Sequence, residues 1–82
     1  MICSMYFRTE AMASLKRLSP DVSRRIVRKI ERLRDNLAGD VKRLKEFKAN
    51  YRLRVVDWRV LFEIDAGKVI VHDVNHRSQA YE

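Results

Sequence analysis

The chain is poor in the residues that staple, bend or loosen a backbone: one cysteine, one proline and two glycines in 82 positions. A lone thiol, Cys3, makes no internal disulfide and no cysteine-based metal site, so the sequence predicts a reducing compartment, the cytoplasm. With only two histidines and no His or Cys cluster at ligand spacing, no metal site is expected. Scarce Gly and Pro beside a hydrophobic fraction of 46% exclude a disordered tail or a fibrous repeat. No apolar run approaches the roughly 18 residues of a membrane span, and the start lacks a basic flank before a long apolar segment. Neither membrane insertion nor secretion is expected. Acidic residues are the other shortage: 11 Asp and Glu against 18 Lys and Arg leave a net charge of +7. That excess points to an anionic partner, either nucleic acid or an acidic protein and less readily a membrane surface, and charge alone does not choose among them. A chain of 82 residues makes one domain, expected to span 1–82, near the size at which a single core barely suffices. Help from a partner is therefore expected.

What is present reads as a short α+β pattern. Ile2 to Phe7 is apolar and aromatic enough for a strand, and Thr9 stands as an N-cap before a short helix carrying Ala11, Leu15 and Leu18 on one face. Ser19-Pro20-Asp21 interrupts it and opens a second helix, since Pro is accepted at the first helical position after a Ser cap. From Val22 to Leu37 the apolar residues Val22, Ile26, Val27, Ile30, Leu33 and Leu37 fall at steps of three and four. The other face carries Arg24, Arg25, Arg28, Lys29, Arg32 and Arg34 and reads first as a solvated helix face. Asn36 and Gly39 mark the stop. Asp40 to Asn50 reads as a connection pinned by Leu44 and Phe47 that offers Lys42, Arg43, Lys45 and Lys48 to an RNA. Strands follow at Tyr51–Val56, Trp58–Ile64 and Lys68–Val74, with Asp65-Ala66-Gly67 as the second turn. The order β-α-α-β-β-β predicts a mostly antiparallel four-stranded sheet with both helices packed on one face.

The stretch Tyr51-Arg52-Leu53-Arg54-Val55-Val56-Asp57-Trp58-Arg59-Val60-Leu61-Phe62-Glu63-Ile64 organises the rest. Strand alternation sets Tyr51, Leu53 and Val55 on one face and Arg52 and Arg54 on the other. A tight turn near Val56 and Asp57 folds the next run back, with Trp58, Val60 and Phe62 as one row and Arg59, Leu61 and Glu63 as the second. If the register sets Arg59 beside Arg52 and Arg54, three guanidiniums converge on a face left open by the helices. Guanidinium forks match phosphate oxygens bidentately, so RNA or DNA is the obvious ligand.

With these residues in this order, the chain resembles the RelE/ParE superfamily of type II toxin-antitoxin toxins, and within it the RelE-like side. The likeness rests on Phe7 to Leu18, the helix end at Leu33, Val41 to Leu44, Tyr51-Arg52-Leu53-Arg54, Asp57-Trp58-Arg59-Val60 and the closing Asn75-His76-Arg77-Ser78-Gln79-Ala80-Tyr81. The resemblance implies a small metal-free endoribonuclease that cuts messenger RNA in the ribosomal A site. It also implies an acidic RelB-like antitoxin that neutralises the toxin, with operator DNA bound only through that antitoxin. Carried over by position, the family's catalytic set falls on Arg52, Arg54, Arg59, Arg77 and Tyr81. The first pair is often Lys in RelE-like toxins and here both are Arg, which keeps its proton and so serves as a phosphate clamp rather than a base. His76, whose ordinary pKa lies near neutrality, is then the expected acid or base, with Glu63 a weaker candidate. His72, between Val71 and Asp73, reads as a structural histidine. Tyr81 is expected to stack on a base or donate a hydrogen bond.

Three other functions compete. A ParE-like toxin that poisons DNA gyrase by contact needs no nuclease activity. A plain RNA-binding module would bind and leave the chain intact, with a steep salt dependence. A toxin silenced by the Lys-to-Arg change would persist as an antitoxin-binding module alone.

Overall fold

The apolar steps of the sequence decide the layers. A computed structural model describes residues 4–45 and 49–76, in the order β1 (Ser4–Phe7), α1 (Thr9–Lys16), α2 (Pro20–Glu31), a 3-10 turn (Arg32–Arg34), β2 (Asp40–Arg43), β3 (Tyr51–Val55), β4 (Trp58–Asp65) and β5 (Lys68–His76). Ser19 is the N-cap with extended backbone and Pro20 the first helical residue, as the Ser-Pro pair predicts. Ile26 and Ile30 of α2, Leu33 of the following turn, and Ala11 and Leu15 of α1 are buried. They meet Leu53, Val55, Val60, Phe62, Val69, Val71 and Val74 in one cluster, so both helices cover the same face of the sheet. On that face the Tyr51 and Phe62 rings stack at 5.3 Å. Among the described residues no helix is long and apolar enough to cross a membrane.

The α+β architecture is the one expected, with a fifth strand added. The sheet order is β1-β5-β4-β3-β2. Asp40–Arg43, expected as part of a connection, is strand β2, paired antiparallel to β3 from Asp40 opposite Arg54 to Arg43 opposite Tyr51. A four-residue edge strand with one apolar side chain, Val41, carries too little alternation to be seen, and charged residues are what blunt such an edge. β2-β3, β3-β4 and β4-β5 are antiparallel, while β1 runs parallel to β5 from Ser4 opposite Lys68 to Phe7 opposite Val71.

Two helix ends also differ from expectation. The Arg8 amide bonds the Val71 carbonyl at 2.9 Å, continuing the strand pairing one residue further, so Arg8 is the cap of α1 and Thr9 its first helical residue. α2 stops at Glu31 rather than Leu37, because the chain tightens and then turns left-handed at Asn36 (φ 54°) and Leu37 (φ 59°). The Leu37 amide still reaches the Leu33 carbonyl at 3.0 Å, which keeps the apolar spacing alive past the helix end. Gly39 then holds φ 123°, and a Cβ there would lie 2.9 Å from Leu53 Cδ1, so glycine lets β2 approach the core. The β4-β5 hairpin turns through two left-handed residues, Ala66 (φ 50°) and Gly67 (φ 78°), as a two-residue loop requires.

Candidate nucleic-acid interface

The face opposite the helices carries the three arginines of the β3-β4 hairpin. In β3-β4, Arg54 stands directly opposite Arg59, and Arg52 opposite Leu61, so all three guanidiniums share the uncovered face. The expected convergence of Arg52, Arg54 and Arg59 is thus met by register. Arg54 is exposed and Arg59 half-buried. Like charges directly across a ladder destabilise it by roughly 0.2–1 kcal/mol, so this pairing runs against the needs of the fold alone. β2 extends the patch, with Lys42 opposite Arg52 and Asp40 opposite Arg54. Arg52 is the sheltered member, its side chain 12% exposed, with Nη1 3.8 Å from the Asp40 carboxylate. That separation is too long for a hydrogen bond, and among the described residues this buried Nη1 has no acceptor. A donor held in this way is ready for an incoming anionic oxygen.

The other expected residues divide. Lys42 and Lys45 are exposed, while Arg43, opposite Tyr51, belongs by alternation to the helix side. Lys48, Arg77 and Tyr81 lie outside the described residues. His76 does not join the arginines. It pairs with Trp58 while Asn75 pairs with Arg59, so strand alternation sends it to the face away from Arg54 and Arg59. Its ring meets Trp58 edge-on at 5.0 Å, and both line a cavity of about 350 Å³ with Val22 and Ile26 of α2. The expectation that His76 shares a site with these arginines is corrected accordingly: alternation from Val69 and Val71 would leave it on the open face, and the register shift opposite Leu61 and Phe62 moves it to the helix side, where Asp21, Arg25 and Asp57 also line the cavity.

A second pair went unread in the sequence. His72 Nε2 and Glu63 Oε1 are 2.6 Å apart, bridging β5 and β4, with side chains 14% and 30% exposed. Ile70 stands opposite Glu63, so alternation puts His72 on the same face; a bulge follows, with Phe62 paired to Val71 but Leu61 to Asp73, which leaves His72 as the extra residue of β5. Glu63 shares the face of Arg59 and Leu61 by alternation, so the carboxylate-imidazole pair belongs to the open side. The signal was there in the inward residues Val69, Val71 and Val74, whose spacing changes from two to three across His72 and Asp73. Asp73 is turned to α1, accepting from the Ser14 hydroxyl and the Val74 amide, each at 2.9 Å. Among the described residues no three metal-ligating side chains cluster.

Comparisons with known proteins agree with this construction. The family model described as the ParE toxin of type II toxin-antitoxin system, parDE, matches residues 5–81. No curated protein sequence matches. Among solved structures, the RelB-RelE antitoxin-toxin complex of Methanococcus jannaschii is similar at 28% identity and TM-score 0.76, over 93% of this chain and 94% of that one. The toxin-antitoxin complex RelBE2 of Mycobacterium tuberculosis is similar at 26% identity and TM-score 0.77, over 94% and 100%. The chromosomal ParDE system of P. aeruginosa shares the fold at 15% identity and TM-score 0.69, over 92% and 96%. A family model that takes in nearly every residue, on a sheet and helix pair shared with RelE toxins, establishes that the chain belongs to the ParE/RelE toxins of type II toxin-antitoxin systems.

Proposed function

We propose that this toxin is an endoribonuclease that cuts messenger RNA in the ribosomal A site and so halts translation. The observation that carries the reading is the register of Arg54 opposite Arg59, with Arg52 alongside, on a face the helices leave bare. The reaction is in-line attack of a ribose 2′-oxygen on its own 3′-phosphate. The 2′-hydroxyl gives up its proton to a base, the new O2′–P bond forms, the P–O5′ bond breaks, and the departing 5′-oxygen takes a proton. The products are a 2′,3′-cyclic phosphate and a 5′-hydroxyl. Guanidiniums stabilise the charge that grows on the equatorial oxygens, where preorganised donors act most strongly. Arg52, Arg54 and Arg59 serve as clamps, and Lys42 and Lys45 steer the RNA backbone. In the proposal Arg77 and Tyr81 complete the site by contacting phosphate and base, Lys48 adds to the backbone contacts, and no metal enters the reaction.

The partner in this reading is an acidic RelB-like antitoxin, by analogy with the RelB-RelE complexes of the two relatives. Its disordered segment would fold over the basic toxin, cover apolar area and quench the cationic face. Operator DNA would be reached only through the antitoxin. A second reading, contact poisoning of DNA gyrase in the manner of ParE toxins, is favoured by the name of the matching family model. Cleavage of message on translating ribosomes, set beside a gyrase supercoiling assay, separates the two. Cut message with unaffected supercoiling supports the nuclease; intact message with inhibited gyrase supports the alternative.

A further inference from the structure

We infer that Glu63 is the general base of the RNA cleavage, held in place by His72, and that the scissile phosphate sits against Arg52. The inference rests on the nuclease reading and names the proton acceptor that three arginines cannot supply. Among the described residues, most carboxylates of this sheet are committed elsewhere. Asp40 faces Arg52, Asp73 is taken by Ser14 and the Val74 amide, and Asp65 stands exposed at the hairpin end beside Lys68. Glu63 alone of these is both sheltered and hydrogen-bonded to an imidazole. A carboxylate 2.6 Å from Nε2 accepts a charge-assisted bond, so Nε2 carries the hydrogen and Oε1 receives it. Oε2 then remains to take the proton of a ribose 2′-hydroxyl.

Geometry chooses Arg52 as the companion. It stands opposite Leu61, two residues before Glu63 on β4, which makes Arg52 and Glu63 diagonal neighbours about 7–8 Å apart at the backbone. Two long side chains at that spacing reach one ribose-phosphate unit from either side. Arg59 is four residues from Glu63 on the same strand, about 13–14 Å away. It and Arg54 therefore hold the neighbouring phosphate. Alternation alone puts His72 on this face, two residues on from Ile70, which stands opposite Glu63; the bulge between Val71 and Asp73 then shifts the rest of β5 by one residue. Glu63 touches the substrate; His72 acts through it and is a positioning residue. Among the described residues, the charged and titratable groups sharing this face are Arg52 and Arg54 on β3, Lys42 and Asp40 on β2, Arg59 and Asp65 on β4, Lys68 on β5 and Tyr6 on β1, whose ring takes Lys68 Nζ at 5.7 Å; Arg8, which continues the pairing of β1 and lies 3.9 Å from Glu10, follows Tyr6 by alternation.

The test is single-turnover cleavage of a 5′-labelled message held in ribosomes, followed across pH, with the full chain and its variants. Glu63→Gln, which keeps shape and hydrogen bonding, is expected to slow cleavage at least about a hundredfold and to abolish the acidic limb of the rate profile. His72→Leu is expected to lower the limiting cleavage rate about tenfold with the half-saturating concentration held, and His72→Gln, which restores an N–H donor, to recover most of it. Wild-type chain that leaves the message intact overturns the nuclease reading and this inference together. Wild-type cleavage matched by Glu63→Gln, with the acidic limb unmoved, overturns the inference alone.

Discussion

The two faces of one sheet follow opposite rules. On the helix side, Leu53, Val60, Phe62, Val69 and Val71 are fully buried in one apolar cluster with residues of both helices. On the open side the same strands carry Arg52, Arg54, Arg59, Glu63 and His72, including a like-charge pair across the ladder. Burial explains the first face completely. The second disobeys the local preferences of a sheet, and such departures mark places where function outweighs stability. The contrast also explains His76: the one-residue register shift in β5 moves it from the open side to the helix side.

Substitutions on the two faces should therefore separate stability from cleavage. The largest effect is expected at Phe62→Ala, a loss of about 3–5 kcal/mol in denaturant unfolding, which removes much of the stability of so small a chain. Arg52→Ala should do the reverse, cutting the cleavage rate about a hundredfold while the denaturation midpoint barely moves. Gly39→Ala combines a positive φ with a close approach to Leu53, and should cost at least about 1 kcal/mol in the same unfolding experiment with cleavage intact under folding conditions. Arg54→Ala, at an exposed position, should lower kcat/KM about tenfold with stability unchanged within about 0.5 kcal/mol. The smallest effect is expected at His76→Ala, whose cleavage rate should stay within about threefold of wild type. A hundredfold loss there would erase the distinction between the faces.

Much of this division was legible in the sequence, because it depends on the simplest periodicities. Alternation through Tyr51–Val55 and Trp58–Ile64 foretold which residues face the helices, and the steps from Val22 to Leu33 foretold the helix that covers them. Three features hid from such reasoning. β2 is too short and polar to alternate visibly. The end of α2 is masked because Leu37 keeps helical spacing through a left-handed turn. The Glu63-His72 contact depends on how β4 pairs with β5, which single-strand parity does not encode. His76 lies on the helix side through the bulge between Val71 and Asp73, and proximity to Arg77 in sequence says nothing about which side of a strand a residue occupies.

The end groups of the cleaved message test the central claim most directly. Wild-type chain acting on a ribosome-held message should leave a 2′,3′-cyclic phosphate on the upstream fragment and a 5′-hydroxyl on the downstream one, and Arg52→Ala should remove both signals. A message left whole by wild-type chain, while gyrase supercoiling is blocked, would contradict it.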